Sequence, residues 1–296
     1  MKRGNEPRGV IPPIITPFDA SGAIDRAIFR REVRHLIGCG VHGLSPGGST
    51  GEGASLTDND LSTLISIVRE ENKAGLPIVA GVIRSSTQAA VATALAAKAA
   101  GADALMVTPV FYNVLVPDDD GNASFFREIA EASGLPLIVY NVVPQNEIGT
   151  ELFSQLLAIP GIVGIKQSVG GIMALYEQKL VNGERGVIYS ATDEMIASTF
   201  SLGADGAISA ILSLFPKRCV RMWDLVLAGR HDEARRIQDE IHPLWRAVRG
   251  PQFPARMKAA LRIMGRDCGY SRSPMSGVSE AQLATMRVLL AQVGDE

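Results

Sequence analysis

Short apolar runs rich in β-branched residues alternate with longer stretches of helical periodicity along most of the chain. This alternation is typical of strand and helix units arranged around a parallel sheet. The pattern predicts strands at residues 10–18, 40–46, 77–82, 104–108, 137–141, 163–167, 187–191 and 206–210. Between them it predicts helices, for example at residues 25–37, 58–72, 87–100 and 123–132.

The number of these units decides the predicted fold. Eight units favour an α/β fold of the closed (β/α)8 TIM barrel type, which takes about 250 residues, and a doubly wound open sheet is the alternative. After residue 215 the strand pattern stops and further helices are predicted, with Gly250-Pro251 as a break between two of them. We therefore expect a barrel domain at residues 1–225 and a C-terminal helical extension at residues 226–296 packed on it.

Charge and composition narrow the class of partner. The 296-residue chain is 46% hydrophobic with a net charge of −2, and it has no basic patch interleaved with aromatics, so nucleic acid and membrane surfaces are poor partners. No signal core or apolar run of roughly 20 residues is present, which predicts a cytoplasmic protein. The three cysteines and four histidines lack metal-ligand spacing, so no metal site is predicted. A small molecule is therefore the expected partner of this protein.

Lys166 ends the apolar run Gly161-Ile-Val-Gly-Ile-Lys166, which is predicted to be a buried strand. Burial disfavours an ammonium and lowers a lysine's pKa, so a nucleophilic amine becomes available for Schiff-base formation with a ketone. The alternative is a structural lysine that reaches solvent or pairs with a carboxylate.

The other predicted strands also end in polar residues, and in a (β/α)8 barrel these ends meet at the active site. The loop Pro46-Gly-Gly-Ser-Thr-Gly-Glu52 offers backbone N–H groups and two hydroxyls suited to a carboxylate or phosphate, although a plain glycine-rich turn is the alternative. Tyr140 could move protons beside the lysine or be a core aromatic. Asp193-Glu194 could bind substrate hydroxyls or start a helix.

These motifs together resemble the family of class I aldolases and lyases that includes N-acetylneuraminate lyase and dihydrodipicolinate synthase. The resemblance covers nearly the whole chain and rests on four motifs in the family's order and near its spacing: Gly48-Ser-Thr-Gly-Glu52, Thr108-Pro109, Tyr140-Asn141 and Gly164-Ile-Lys166. It implies a (β/α)8 barrel that assembles as a homotetramer, a dimer of dimers.

The resemblance also implies roles for individual residues. Lys166 would form an imine with pyruvate or a related 2-keto acid, with no metal or organic cofactor. Tyr140 would shuttle protons, and Gly48, Ser49 and Thr50 would hold the carboxylate, Thr50 also counting among the catalytic residues. Tyr112 would reach a neighbouring subunit's site.

Two segments bear on the second substrate. The resemblance to dihydrodipicolinate synthases implies an arginine a few residues after Tyr-Asn, which binds the carboxylate of the second substrate. Residues 142–147 of this chain contain no arginine. This chain is similar to the sugar-acid lyases in its acidic pair and in its serine hydroxyls. The resemblance implies that the hydroxylated part of the substrate is contacted by Asp193, Glu194, Ser168 and Ser209. We therefore expect a Schiff-base lyase or aldolase that uses pyruvate with an aldehyde, or a hydroxylated 2-keto-3-deoxy acid.

Three rival functions stay open. The first is dihydrodipicolinate synthase, which condenses pyruvate with aspartate semialdehyde. The second is a barrel acting on a phosphorylated sugar through Gly203-Ala-Asp-Gly206, although that turn enters a strand rather than following one. The third is a sensor that binds a keto acid without turnover.

Overall fold

Residues 6–293 of the protein are described by a computed structural model. In this range seven parallel strands form one curled sheet: β1 (Gly9–Val10), β2 (Val79–Val82), β3 (Ala104–Val107), β4 (Leu137–Asn141), β5 (Ile162–Gln167), β6 (Val187–Ser190) and β7 (Gly206–Ala207). The helices of the same range are α1 (Arg26–Gly38), α2 (Asp58–Glu71), α3 (Thr87–Ala99), α4 (Asp119–Ser133), α5 (Thr150–Leu156), α6 (Gly171–Asn182), α7 (Ile196–Ser201), α8 (Ile211–Leu214), α9 (Pro216–Leu227), α10 (His231–Val248), α11 (Phe253–Ile263) and α12 (Glu280–Val293).

The predicted closed barrel is confirmed. The second of the eight predicted strands, residues 40–46, is wrong, because this segment forms only isolated bridges. The sheet runs β1-β7-β6-β5-β4-β3-β2, and residues 44–46 join its two ends through isolated bridges. Leu44 N donates to Pro77 O at 2.9 Å, and Ser45 N donates to Pro12 O at 3.0 Å. Prolines at these contacts have no N–H to donate, so a continuous ladder cannot form.

Alternate residues of each strand face two different apolar clusters. Met106 belongs to a small cluster inside the barrel, whereas its neighbours Leu105 and Val107 pack in the large cluster between strands and helices. On β5, Ile165 lies in the outer cluster. Because side chains alternate along a strand, the next residue, Lys166, points into the barrel.

Helix α4 begins earlier than the periodicity at residues 123–132 predicts. Its first residue is Asp119, and the Asp118 side chain accepts a hydrogen bond from Gly121 N at 2.9 Å. The acidic run 118–120 therefore caps the helix and lies at the positive end of its dipole. An acidic segment without apolar residues gives no periodic pattern, so the periodicity alone places the start of the helix too late.

Helices α9 to α12 follow the barrel, and α10 packs against α7 and the turn Asp193–Met195. The predicted break at Gly250-Pro251 is confirmed, since α10 ends before it and α11 begins after it. The predicted boundary at residue 225 falls within α9. The division into residues 1–225 and 226–296, whose ends 1–5 and 294–296 lie outside the described part, stays a prediction.

Within residues 6–293, no helix has the length and apolar character needed to cross a bilayer.

Candidate active site

Lys166 lies at the carboxyl end of β5 with only 3% of its surface exposed. Two residues earlier, Gly164 leaves no room for a side chain, because a Cβ there would lie 2.3 Å from Val187 Cγ2. This close contact fixes β5 against β6. No carboxylate of residues 6–293 forms an ion pair with Lys166. Neither solvent exposure nor ion pairing therefore accounts for a lysine at this place.

Tyr140 and Ser49 lie beside this lysine. Tyr140 on β4 pairs in register with Lys166, and the lysine Nζ lies 3.5 Å from the centre of the Tyr140 ring. The electron-rich ring face attracts a cation. The Tyr140 hydroxyl donates a long hydrogen bond of 3.4 Å to Ser49 Oγ. Three residues predicted from three separate motifs thus meet at one end of the barrel.

The loop that carries Gly48, Ser49 and Thr50 is a short 3-10 turn held against the barrel. Thr50 is buried, whereas Ser49 is exposed to solvent. The Ser49 Oγ faces the Tyr140 hydroxyl. Thr16 Oγ1 donates to Gly51 O at 2.7 Å. A Cβ on Gly51 would lie 2.6 Å from Ile14 O, so only glycine allows this close approach. The turn thus places the Ser49 hydroxyl against Tyr140, and the carboxylate-binding role of the turn stays a prediction.

Asp193 follows β6 and is buried close to the lysine. Its Oδ1 accepts a hydrogen bond from Ile211 N at 2.7 Å. Burial raises the pKa of the Asp193 carboxyl to about 6, against the lowering effects of the Ser209 side chain, the Ile211 N–H and the Lys166 charge. The predicted site residues Asp193 and Ser209 therefore adjoin each other, and Asp193 lies within electrostatic range of Lys166.

Glu194 does not share the position of its neighbour. Its Oε2 accepts a hydrogen bond from Trp245 Nε1 at 3.3 Å, and its Oε1 lies 3.7 Å from Arg249 Nη1. Both partners belong to α10 or its C-cap. The acidic pair is thus split, with one carboxylate buried near the lysine and the other tied to the C-terminal helices.

Ser168 lies just beyond β5, where its backbone N–H donates to Asn141 O at 3.1 Å. The fully buried Asn141 side chain bonds both the N–H and the carbonyl of Ile148, at 2.9 and 3.0 Å. Asn141 therefore shapes the loop after β4. Ser168 itself is partly buried, and the structure shows no contact between its hydroxyl and the Lys166 group.

Tyr112 is 56% exposed and precedes the turn Asn113–Leu115, whose apolar side chains are also exposed. Within the described chain, Tyr112 is not joined to Tyr140 or Lys166 by any hydrogen bond. The structure of one chain therefore leaves Tyr112 outside the group at the barrel mouth.

The glycine turn considered for a phosphorylated sugar lies before β7, and a carboxylate occupies it. Asp205 pairs with Arg8 and with Lys179, whose Nζ lies 3.1 Å from Asp205 Oδ2. Lys166 lies at the carboxyl ends of the strands, so Asp205 is at the opposite end of the barrel. This arrangement opposes a phosphate site there.

No group of three His, Cys, Asp or Glu side chains within residues 6–293 is placed to hold a metal ion.

Known proteins share the sequence and fold of this chain over nearly its whole length. The sequence profile described as the dihydrodipicolinate synthetase family matches residues 6–293. The chain belongs to this family. A 4-hydroxy-tetrahydrodipicolinate synthase of Methylobacterium radiotolerans is 32% identical over 279 residues, which is 94% of this chain and 92% of that protein.

Solved structures agree with the family assignment. A chloride-inhibited dihydrodipicolinate synthase from Acinetobacter baumannii, solved with pyruvate, superposes with a TM-score of 0.92 at 28% identity, covering 97% of this chain and 99% of that one. A dihydrodipicolinate synthase characterised as a monomeric variant gives a TM-score of 0.89 at 26% identity, covering 97% and 96%.

Family membership confirms several predictions. The chain is an enzyme of the class I aldolase and lyase type, and enzymes of the dihydrodipicolinate synthetase family form a lysine Schiff base without an external cofactor. The names of the curated relatives favour the dihydrodipicolinate synthase alternative over the N-acetylneuraminate lyase-like function. Our leading prediction about the second substrate is therefore less well supported than its rival.

The segment in which dihydrodipicolinate synthases carry the arginine is fully described. Gln145 donates to Phe111 O at 2.9 Å, and the buried Asn146 donates to Val110 O at 3.1 Å. Both amides therefore hold the loop after β3. Neither supplies the positive charge that a second carboxylate would need.

Among the buried hydroxyls that received no role from the sequence, two follow residues of the outer cluster. Ser45 Oγ and Thr108 Oγ1 have no hydrogen-bond partner within residues 6–293. Leu44 and Val107, which directly precede them, pack in the outer cluster, so Ser45 in its isolated bridge and Thr108 at the end of β3 point into the barrel. The strand alternation itself could have identified them. Buried unpaired hydroxyls are costly, so they are candidates for substrate or water contacts.

Proposed function

We propose that Lys166 forms a Schiff base with pyruvate and that this imine is the reactive species of the enzyme. The observation that supports this best is a buried lysine that is in no ion pair within residues 6–293 and whose Nζ lies 3.5 Å from the Tyr140 ring centre. Lys166 Nζ attacks the C2 carbonyl of pyruvate, and the carbinolamine then loses water. The protonated imine draws electrons from C3, which becomes a nucleophile after losing a proton.

Tyr140 carries the protons in this scheme. The Tyr140 hydroxyl gives its proton to the carbinolamine hydroxyl, which leaves as water, and the tyrosinate then takes up the proton that C3 loses. The hydrogen bond to Ser49 Oγ orients the Tyr140 hydroxyl before substrate binds. Positioned proton transfer of this kind contributes about 10²- to 10⁴-fold to a rate. The 3.4 Å separation is long, as is common before substrate draws such groups together.

The carboxylate of pyruvate is proposed to bind at the turn of Ser49 and Thr50. A turn that exposes backbone N–H groups and hydroxyls stabilises an anion. Gly48 and Gly51 allow the backbone to approach closely. With the carboxylate held there, C2 faces the lysine.

For the second substrate, aspartate semialdehyde is the first to test, because the curated relatives are named 4-hydroxy-tetrahydrodipicolinate synthase. A hydroxylated 2-keto acid is the second candidate. It is favoured by the buried carboxylate of Asp193 beside Ser209, which can accept hydrogen bonds from substrate hydroxyls, and by Gln145 and Asn146 in place of an arginine.

The proposal is tested by borohydride reduction in the presence of pyruvate, followed by peptide mass mapping. The reduced adduct should be found on Lys166, and Lys166→Ala should give neither adduct nor turnover. An active Lys166→Ala enzyme, or an adduct on another lysine, would contradict the proposed mechanism. Trapping at Lys166 with turnover of a sugar acid but not of aspartate semialdehyde would favour the second candidate substrate.

We further propose a homotetramer in which Tyr112 approaches a neighbouring subunit's site. The exposed apolar segment around Tyr112 supports such a contact. Light scattering of the wild type and of Tyr112→Ala would test it, and a monomeric wild type would exclude it. The cytoplasmic location stays a prediction from sequence.

A further inference from the structure

Glu52 closes the turn that carries Ser49 and Thr50, in an unusual backbone conformation. Its φ of 59° and ψ of 32° lie in the left-handed region, which residues other than glycine rarely adopt. Glu52 N donates to Ser49 O at 3.1 Å, and Glu52 O accepts from Ser55 N at 2.8 Å. A strained residue of this kind persists only when its surroundings hold it in place.

The surroundings that hold Glu52 come from the C-terminal region. Its side chain is 5% exposed, and Oε1 lies 2.6 Å from Nζ of Lys258, which is 3% exposed. Its other oxygen accepts from Arg272 N at 2.9 Å. Lys258 also donates to Tyr270 O at 2.5 Å. The end of the turn is therefore tied to α11 and to the segment that follows it.

The middle of the turn is fixed separately, from the barrel side. Thr16 Oγ1 donates to Gly51 O at 2.7 Å, and Gly51 N donates to Gly48 O at 3.0 Å. Ser49 itself is bonded from the other side, because its carbonyl accepts from Glu52 N. The contacts that hold Glu52 therefore bear directly on the position of the Ser49 hydroxyl.

We propose that Glu52 and Lys258 are positioning residues for pyruvate. Their buried ion pair holds the turn so that Ser49 and Thr50 meet the keto acid's carboxylate, a role that rests on the proposed function of the turn. A buried ion pair adds little net stability, but loss of one partner leaves an uncompensated charge. The surrounding backbone then shifts toward a position that satisfies it.

A second buried ion pair provides a matched control. Glu32 of α1, 5% exposed, pairs with Arg266, 12% exposed, beyond α11. Glu32→Gln makes the same chemical change as Glu52→Gln, but away from the turn. A merely structural role for the Glu52 pair predicts that both variants behave alike.

The experiment measures the pyruvate concentration that gives half-maximal borohydride trapping at Lys166, together with each variant's thermal midpoint. Glu52→Gln and Lys258→Met should each raise this concentration about tenfold, the effect of losing one well-placed charge-assisted hydrogen bond. Trapping at saturating pyruvate should persist. Glu32→Gln should lower the thermal midpoint comparably, with the half-saturating concentration within about twofold of wild type.

Two results would overturn the positioning role: wild-type half-saturation in Glu52→Gln, or an equal rise in Glu32→Gln. Absence of any Lys166 adduct in the wild type would instead reject the proposed function itself. If Glu52→Gln does not fold, Glu52→Asp gives the same comparison. It keeps the charge but is one methylene shorter, so its half-saturating concentration should rise less than that of Lys258→Met.

Discussion

Asp193→Asn should stabilise the protein at neutral pH, because it removes the cost of a buried charge. Burial raises the pKa of Asp193 from 3.8 to about 6. The native state therefore holds this proton more tightly than the unfolded state does. Stability contributed by the neutral carboxyl is present below about pH 4, falls as the pH rises to about 6, and is level above that. The difference between the two pKa values corresponds to about 3 kcal/mol at pH 7.

Urea denaturation of the wild type and Asp193→Asn, at about pH 4 and about pH 7, measures this effect. Asparagine keeps the size of the side chain and an oxygen that can accept from Ile211 N. The free energy of unfolding of Asp193→Asn, relative to wild type, should rise by about 3 kcal/mol from the lower to the higher pH.

The exposed Asp232 is the control for this measurement. Its side chain is 87% exposed, so solvent screens its charge, and Asp232→Asn should differ little between the two pH values. If the relative stability of Asp193→Asn is the same at both pH values, burial does not control the ionisation of Asp193. A pKa of Asp193 raised to about 6 would then be wrong.

Two further changes test the site and its scaffold. Tyr140→Phe should slow imine trapping at Lys166 by about 10²-fold or more while leaving the thermal midpoint nearly unchanged, because only the proton-carrying hydroxyl is lost; a wild-type trapping rate would contradict the proton relay. Gly164→Ala should destabilise the protein by about 1 to 3 kcal/mol in urea denaturation, because its Cβ would lie 2.3 Å from Val187 Cγ2. Ala80→Gly, at a buried strand position, controls for the effect of a single methyl group, and an unaffected Gly164→Ala would show that β5 and β6 can separate.

The strands were predictable because their signal is local. Each strand shows its apolar run within its own few residues, and Lys166 and Tyr140 fall at strand ends that any parallel barrel brings together. The segment at residues 40–46 has the same local signal. Its failure to form a ladder depends on prolines in three different segments, Pro12, Pro46 and Pro77, and on which carbonyls and N–H groups they meet.

The part of the site that sequence could not provide depends on long-range contacts. The sequence shows Asp193 and Glu194 as one acidic pair, but Trp245 and Arg249 draw Glu194 toward α10. Likewise, nothing near Glu52 in the sequence indicates Lys258 as its partner. Contacts between residues so far apart leave no periodic or motif signal in a single chain.

The attachment of Glu194 to α10 bears on how substrate preference changes during evolution. Trp245 lies on α10 and Arg249 caps that helix, so neither belongs to the strands that carry Lys166 and Tyr140. A mutation of the half-exposed Arg249 removes one partner of the Glu194 carboxylate without changing any strand residue. Duplicated copies of such a gene can therefore diverge toward new partner substrates through their C-terminal helices, and the order of barrel motifs would not record the change.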